Sequence, residues 1–191
     1  MKYKCLQYNI YTNGDYSLVP LREVDIYLIK EWRNEQIIVL RQKKPLTDQD
    51  QQNYYKNNIF PSYTDDQPVQ IIFSILKEER CIGYGGLTNT NWESKRIELS
   101  FLLQTSRTQN DLVYTADFSA YLGMIKDVVF NDLKFNRIFT ETYDIRPLHV
   151  CILEQNGFIY EGRMREHVLI DGVYYDSLLH GFLKEDYDSK G

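Results

Sequence analysis

The sequence predicts a mixed α/β fold, in which a meander of strands gives way to alternating helices and strands and the sheet is covered on its faces. Three observations predict it. Residues 69–103 hold three β-rich apolar runs separated by turn residues. Residues 114–133 carry apolar side chains at helical spacing. Residues 138–158 read as a strand, a helix, a glycine stop and the start of another strand. A length of 191 residues suits one domain, residues 1–191, able to bury a core.

Taken in order, residues 5–12 read as a strand, Asn13-Gly14-Asp15 as a turn and Tyr16–Leu21 as the next strand. Asp25 is placed to cap a helix running to about Glu35, with Ile26, Ile29 and Trp32 on its apolar side. Thr47-Asp48-Gln49-Asp50 resembles a capping start, with acids in the first turn, for a helix to about Asn57. Residues 60–68 are loop by composition. Val69–Lys77 and Cys81–Thr88 form a pair of strands, and Arg96–Leu103 the one after. Gly83-Tyr84-Gly85-Gly86 precedes no helix, so it is a bulge or a close backbone approach rather than a nucleotide fingerprint.

From Tyr114 to Leu133, Phe118, Tyr121, Leu122, Ile125, Val128, Val129 and Leu133 fall on one side of a helix. A strand over 136–143 leads into a helix over 146–155. There Val150, Ile152 and Leu153 share a face, with Leu148 or His149 one turn back. Asn156-Gly157 ends that helix, because glycine takes the left-handed conformation of a helix stop. A hairpin follows, turning at Asp171-Gly172 and ending near Leu183.

Composition narrows the function. A net charge of −5 argues against nucleic acid as a partner, since phosphate binding needs a basic face. Cys5, Cys81 and Cys151 are odd in number, far apart and without metal spacing, which fits a reducing cytoplasmic setting and no metal. No stretch has the length and apolarity of a signal peptide or a membrane span.

The run Arg146-Pro147-Leu148-His149-Val150-Cys151-Ile152-Leu153-Glu154-Gln155-Asn156-Gly157-Phe158, set between a strand and a long hairpin, resembles the closing part of the GNAT acetyltransferase fold, especially its RimJ/RimL-like branch. The order and spacing match over roughly residues 80–187. The resemblance implies a GNAT fold: a central, largely antiparallel sheet of about seven strands flanked by helices. It also implies acetyl-CoA as co-substrate and direct transfer to a primary amine in a ternary complex. No cysteine sits on the proposed thioester strand, which agrees with direct transfer.

In that family the central strand splays from its neighbour and the pantetheine arm pairs with the freed backbone. Here the strand is Arg96–Leu103, so the resemblance gives Phe101, Leu102 and Leu103 the thioester and pantetheine. Glu98 matches the position of an acid facing the amine, a general base acting directly or through a water; the plainer reading pairs it with Arg96 or Lys95 on an exposed strand. Arg33, on the first helix, borders the acceptor site and is suited to an anionic acceptor such as a nucleotide diphosphate; the plainer reading is a surface ion pair.

Three departures from the family pattern stand out. The pyrophosphate loop, usually Arg/Gln-x-x-Gly-x-Gly/Ala opening a helix, falls on Val113–Phe118, where neither glycine is present and Asp117 would repel phosphate. The preceding stretch, 104–111, is longer than usual and offers Ser106, Arg107 and Thr108, so the cofactor set is Ser106, Arg107, Thr115, Ala116 and Arg146. Arg146 replaces a common asparagine and can reach a phosphate. Leu153 stands where many relatives have a tyrosine general acid. His149, one turn earlier and with an ordinary pKa of about 6.5, becomes the candidate acid beside a packing role.

The expected function is therefore an N-acetyltransferase. Its acceptor is a nucleotide-linked amino sugar or a protein N-terminus, and a homodimer through the edge of the hairpin is expected with it. A GNAT-shaped binding module that has lost CoA is the rival reading, and a transferase of longer acyl groups a third.

Overall fold

In a computed structural model that describes residues 1–189, eight strands form one sheet. They are β1 (Tyr11–Asn13), β2 (Tyr16–Pro20), β3 (Ile71–Lys77), β4 (Arg80–Asn91), β5 (Arg96–Leu103), β6 (Arg137–Tyr143), β7 (Ile159–Ile170) and β8 (Val173–Leu183). Their order is β1-β2-β3-β4-β5-β6-β8-β7. Every neighbouring pair is antiparallel except β5 and β6. The short edge strand β1 brings the count above the expected seven. The helices are α1 (Ile26–Glu35), α2 (Asp48–Tyr54), α3 (Phe60–Ser62), α4 (Thr105–Thr108), α5 (Asp111–Lys126), α6 (Pro147–Gln155) and α7 (Lys184–Asp188). No helix among the described residues is long and apolar enough to cross a membrane.

The central layer of packing is α5 against the sheet. Phe118, Tyr121, Leu122 and Ile125 are fully buried, as are Val128 and Val129 in the π-helical stretch Asp127–Asp132 that continues it. The helix starts earlier than expected, at Asp111, because the Asn110 side chain accepts from the amides of Leu112 and Val113. Tyr121 reaches through the layer to give its hydroxyl hydrogen to the Ser100 carbonyl at 2.6 Å. The approach needs Gly85, where a Cβ would lie 2.8 Å from that hydroxyl and 2.6 Å from the same carbonyl. Tyr121→Phe, which keeps the ring and removes the bond, is expected to cost about 1–2 kcal/mol in urea unfolding. An unchanged midpoint would show that the hydroxyl does not hold β5.

Turn chemistry behaves as read. Thr47 and Asp50 form the capping box of α2. Gly157 lies at φ +87°, with Phe158 N–H donating to the Leu153 carbonyl at 3.0 Å and Gly157 N–H to that of Glu154 at 2.8 Å, the paired bonds of a Schellman stop. Asp171 and Gly172 turn the β7–β8 hairpin with positive φ at both positions.

Four local expectations are corrected. Residues 5–10 are not strand: the Gln7 and Tyr8 amides donate to the Asp132 carboxylate, and Tyr3 O–H bonds the backbone of Ile72, so side chains do the work of a neighbouring strand. Asp25 precedes α1 without capping it, because Arg22 and Ser74 take its carboxylate. The second helix runs on through Ser62 by widening into a π-turn at Tyr55–Ile59 ahead of Pro61, whose ring has no N–H to give to the turn before it. In α6 the buried face is His149, Ile152 and Leu153, with Leu148 and Val150 half-buried.

Candidate active site

β5 and β6 are joined at Arg96–Arg137, Ile97–Ile138 and Glu98–Phe139, and nowhere beyond. Past that point β5 stays with β4 through Leu103, and β6 stays with β8 through Tyr143. The sheet therefore splits, and Leu99–Leu102 have no strand beside them on the β6 side. A side chain closes the far end: Gln36 Nε2 donates to the Leu103 carbonyl at 2.8 Å. The split opens a cleft of about 330 Å³ between residues 98–101 of β5 and 140–143 of β6.

Its floor is aromatic. Phe101 stacks on Phe118 at 4.2 Å, and His149 stacks on the same ring at 4.3 Å. The Phe101 side chain thus belongs to the α5 layer, while its main chain lies at the open edge. Leu102 and Leu103 are likewise buried side chains.

Glu98 is not an exposed strand glutamate. It is 7% exposed, and its partners are Arg41, at 2.8 Å from Nη2 to Oε1, and Asn89, rather than Arg96 or Lys95. The same Arg41 nitrogen also meets Glu141 Oε2 of β6 at 2.8 Å, so one guanidinium straddles the mouth of the split. Arg33 also lines the cleft, held by Gln42 and the Tyr84 hydroxyl.

At the α6 end, Arg146 Nη2 donates to the Tyr114 hydroxyl at 2.8 Å, and that hydroxyl lies 2.8 Å from His149 Nδ1. Since the tyrosine oxygen accepts from arginine, its hydrogen is assigned to Nδ1, and the imidazole hydrogen to Nε2. Burial pushes the His149 pKa well below its ordinary value, and the Arg146 charge adds to the push, so the ring is neutral. Burial raises the Tyr114 pKa, against the opposing pull of Arg146.

A second groove, of about 350 Å³, adjoins the cleft and shares Val39, Arg146 and His149 with it. It runs past Thr108, Asp111 and Tyr114 at the start of α5. The sequence places a phosphate-binding loop near here, and its two anomalies prove to be one feature. Arg107 is bound to Asp117 through Nη2 at 2.9 Å and through Nε, and Tyr16 adds a third bond to that carboxylate at 2.9 Å. Asp117, fully buried, is neutralised from within and presents no charge to a phosphate. Of the proposed cofactor residues, Arg146 lines both cavities and Phe101 the cleft; Leu102, Leu103, Ser106, Arg107, Thr115 and Ala116 line neither.

The structure therefore gathers Arg33, Glu98, Phe101, Arg146 and His149 around one cleft. Sequence reasoning missed Arg41, Asn89, Tyr114 and Glu141. Arg41 lies in an irregular segment without a periodic signal, and Asn89 sits at positive φ in β4, where its register with β5 shifts. Thr140 and Thr142 did carry one: polar residues at the inward positions of β6, both buried, mark where the strand leaves its neighbour. Among the described residues, no three His, Cys, Asp or Glu side chains gather where they could hold a metal ion.

Comparison with known proteins agrees with this architecture. The profile of the family described as "Acetyltransferase (GNAT) domain" matches residues 18–179. The chain is similar to the spermidine N-acetyltransferase of Vibrio cholerae, solved in complex with CoA and spermine, with a TM-score of 0.77 at 20% identity over 92% of this chain and 99% of that one. It is also similar to a dodecameric structure of spermidine N-acetyltransferase from that organism in an intermediate state, with a TM-score of 0.70 at 19% identity over 94% and 99% of the two chains. Among curated sequences, it is 26% identical over 84 residues to the SPbeta prophage-derived uncharacterized N-acetyltransferase YokL of Bacillus subtilis (strain 168). That match spans 39% of this chain and 48% of the relative, about half its length.

Proposed function

The chain belongs to the GNAT acetyltransferase domain family, and from that premise we propose that it is a single-domain N-acetyltransferase that moves acetyl from acetyl-CoA to a primary amine by direct transfer. The observation that carries the reading is the split between β5 and β6, which leaves Leu99, Ser100 and Phe101 lining a cleft and no strand beside them on the β6 side. Acetyl-CoA supplies the acetyl group and a thiolate leaving group. The main chain of β5 at Phe101 and Leu102 holds the pantetheine and thioester, Leu103 bounds that stretch with its carbonyl taken by Gln36, and the aromatic floor excludes water. Arg146 faces the phosphates along the adjoining groove; Ser106, Arg107, Thr115 and Ala116 shape the start of α5 beside it.

Glu98 takes the proton of the acceptor's ammonium group, directly or through a water. The nitrogen then bonds the acetyl carbon as the carbon–sulfur bond breaks. His149 gives its Nε2 proton to the sulfur while Nδ1 takes one from Tyr114, and the phenolate, stabilised by Arg146, regains a proton through water from the new amide nitrogen as it sheds its second N–H proton. A neutral imidazole suits this relay.

The acceptor is a small-molecule amine or a protein N-terminus. Arg33 favours a nucleotide-linked amino sugar, whereas the neighbour solved with spermine favours a polyamine. The Gly157-Phe158 helix end and the long terminal hairpin support the RimJ/RimL-like branch. We place the enzyme in the cytoplasm, with neither nucleic acid nor a membrane as partner, and the exposed β7 edge as the surface for a second copy.

One observation favours the rival reading of a CoA-free binding module: the Leu112 and Val113 amides that would cradle phosphate are occupied by Asn110. Calorimetric titration with acetyl-CoA, with free CoA and desulfo-CoA as controls, decides between the two. Micromolar binding is expected, followed by turnover in an amine screen. Silence at millimolar ligand would leave the binding module.

A further inference from the structure

We propose that Arg41 is an internal stand-in for the acceptor's ammonium group, and that Glu98 and Glu141 form a two-carboxylate seat selecting strongly basic, cationic amines. The inference rests on the acetyltransferase reading of the cleft and names its substrate class.

The geometry is that of a single nitrogen between two acids. Arg41 Nη2 lies 2.8 Å from Glu98 Oε1 and 2.8 Å from Glu141 Oε2, so one nitrogen makes both bonds. A primary ammonium has the same capacity, with three N–H donors on one atom. The remaining carboxylate oxygens are oriented from outside: Asn89 donates to Glu98 Oε2, and His167 Nε2 lies 3.5 Å from Glu141 Oε1. The two acids come from the two strands that separate: Glu98 stands at the last rung of their ladder and Glu141 two residues past Phe139, its partner there. An ammonium held there sits at the mouth of the split, beside the open β5 edge assigned to the thioester.

The seat and its occupant differ in exposure and in the elements that carry them. The Glu98 and Glu141 side chains are 9% and 15% exposed, whereas the Arg41 side chain is 53% exposed. Arg41 also lies in the irregular segment between the 3-10 turn Ile37–Val39 and α2. The carboxylates are thus fixed on strands and the guanidinium hangs from a loop. Withdrawing Arg41 alone leaves two nearly buried carboxylates without the guanidinium they share, an expensive state that Asn89 and His167 offset only in part. A cation that arrives as Arg41 leaves removes that penalty, while a neutral or anionic group does not. The same exchange frees Glu98 from its guanidinium and sets it against the proton it must accept.

The test compares the full chain with Arg41→Ala and Arg41→Lys by calorimetry, without acetyl-CoA. The probes are methylguanidinium, 1,3-diaminopropane and, as a neutral analogue, 1,3-propanediol. Arg41→Ala is expected to bind the two cations at least about tenfold more tightly than wild type, with no gain for the diol. Arg41→Lys, which keeps a cation in the seat, is expected to resemble wild type and secures the comparison if the alanine variant folds poorly. No gain for cations, or an equal gain for the diol, overturns the seat. Acetyl-CoA titrated into the same proteins separates the two readings. A cation gain without acetyl-CoA binding keeps the seat and removes the transferase, while acetyl-CoA binding without a cation gain removes the seat alone.

Discussion

Glu98→Gln is expected to lower kcat by about 10²–10³-fold, with acetyl-CoA affinity unchanged. The substitution keeps the size of the side chain and its capacity to accept from Asn89, so the strand and the open edge beyond it are preserved. In the proposed mechanism it removes the acceptor for the amine's proton, and it turns one member of the Arg41 bridge into an amide. The loss should appear in kcat for good acceptors, and KM for cationic acceptors should rise as well, because half the seat is neutral. Steady-state kinetics alongside calorimetry with acetyl-CoA make the measurement. A variant with wild-type kcat would remove Glu98 as the base and leave it a packing and ion-pair role.

Arg107→Ala is expected to destabilise the fold by about 3 kcal/mol, at the lower end of what breaking a buried ion pair costs. Asp117 is fully buried, and Arg107 supplies two of its three hydrogen bonds. Truncation leaves a carboxylate held by the Tyr16 hydroxyl, itself backed by Lys77 Nζ at 2.9 Å, which is why the cost stays at the low end. For a chain of this size the midpoint should fall by about 6–12 °C. The paired variant Arg107→Met with Asp117→Leu should recover most of the loss, since it removes both charges at once. Thermal and urea unfolding of the two variants decide the point. A loss below about 1 kcal/mol would mean that water reaches Asp117 when the guanidinium is gone.

Much of the architecture was legible because it is written in short-range terms. The apolar spacing of Phe118 to Leu133, the glycine stop at Gly157 and the Asp171-Gly172 turn each act within a few residues of themselves. What escaped is long-range and polar. Nothing in the spacing of Gln7 and Tyr8 shows that Asp132 serves their amides, so a β-rich composition read as a strand. Asp117 read as a liability because its partner, ten residues earlier, was read separately as a phosphate ligand. The cleft followed the same pattern. Glu98 and His149 were visible as residue types on recognisable elements. Arg41, which decides what Glu98 is doing, sits on an irregular loop, and only the folded chain brings it to β5 and β6.

The gap between β5 and β6 also bears on how long the molecule lasts. A sheet normally closes its own hydrogen-bond ladder, but this one leaves Leu99–Leu102 without a strand on the β6 side. A ligand that bonds along Leu99–Leu102 and spans to β6 becomes, while bound, part of the sheet. By mass action such a ligand adds about 2.7 kcal/mol of stability at roughly 100 times its Kd. The resting protein and the loaded protein therefore differ in durability as well as in readiness to react. Resistance to heat and to proteases becomes a gauge of ligand supply, read through the part of the sheet that the chain does not complete by itself.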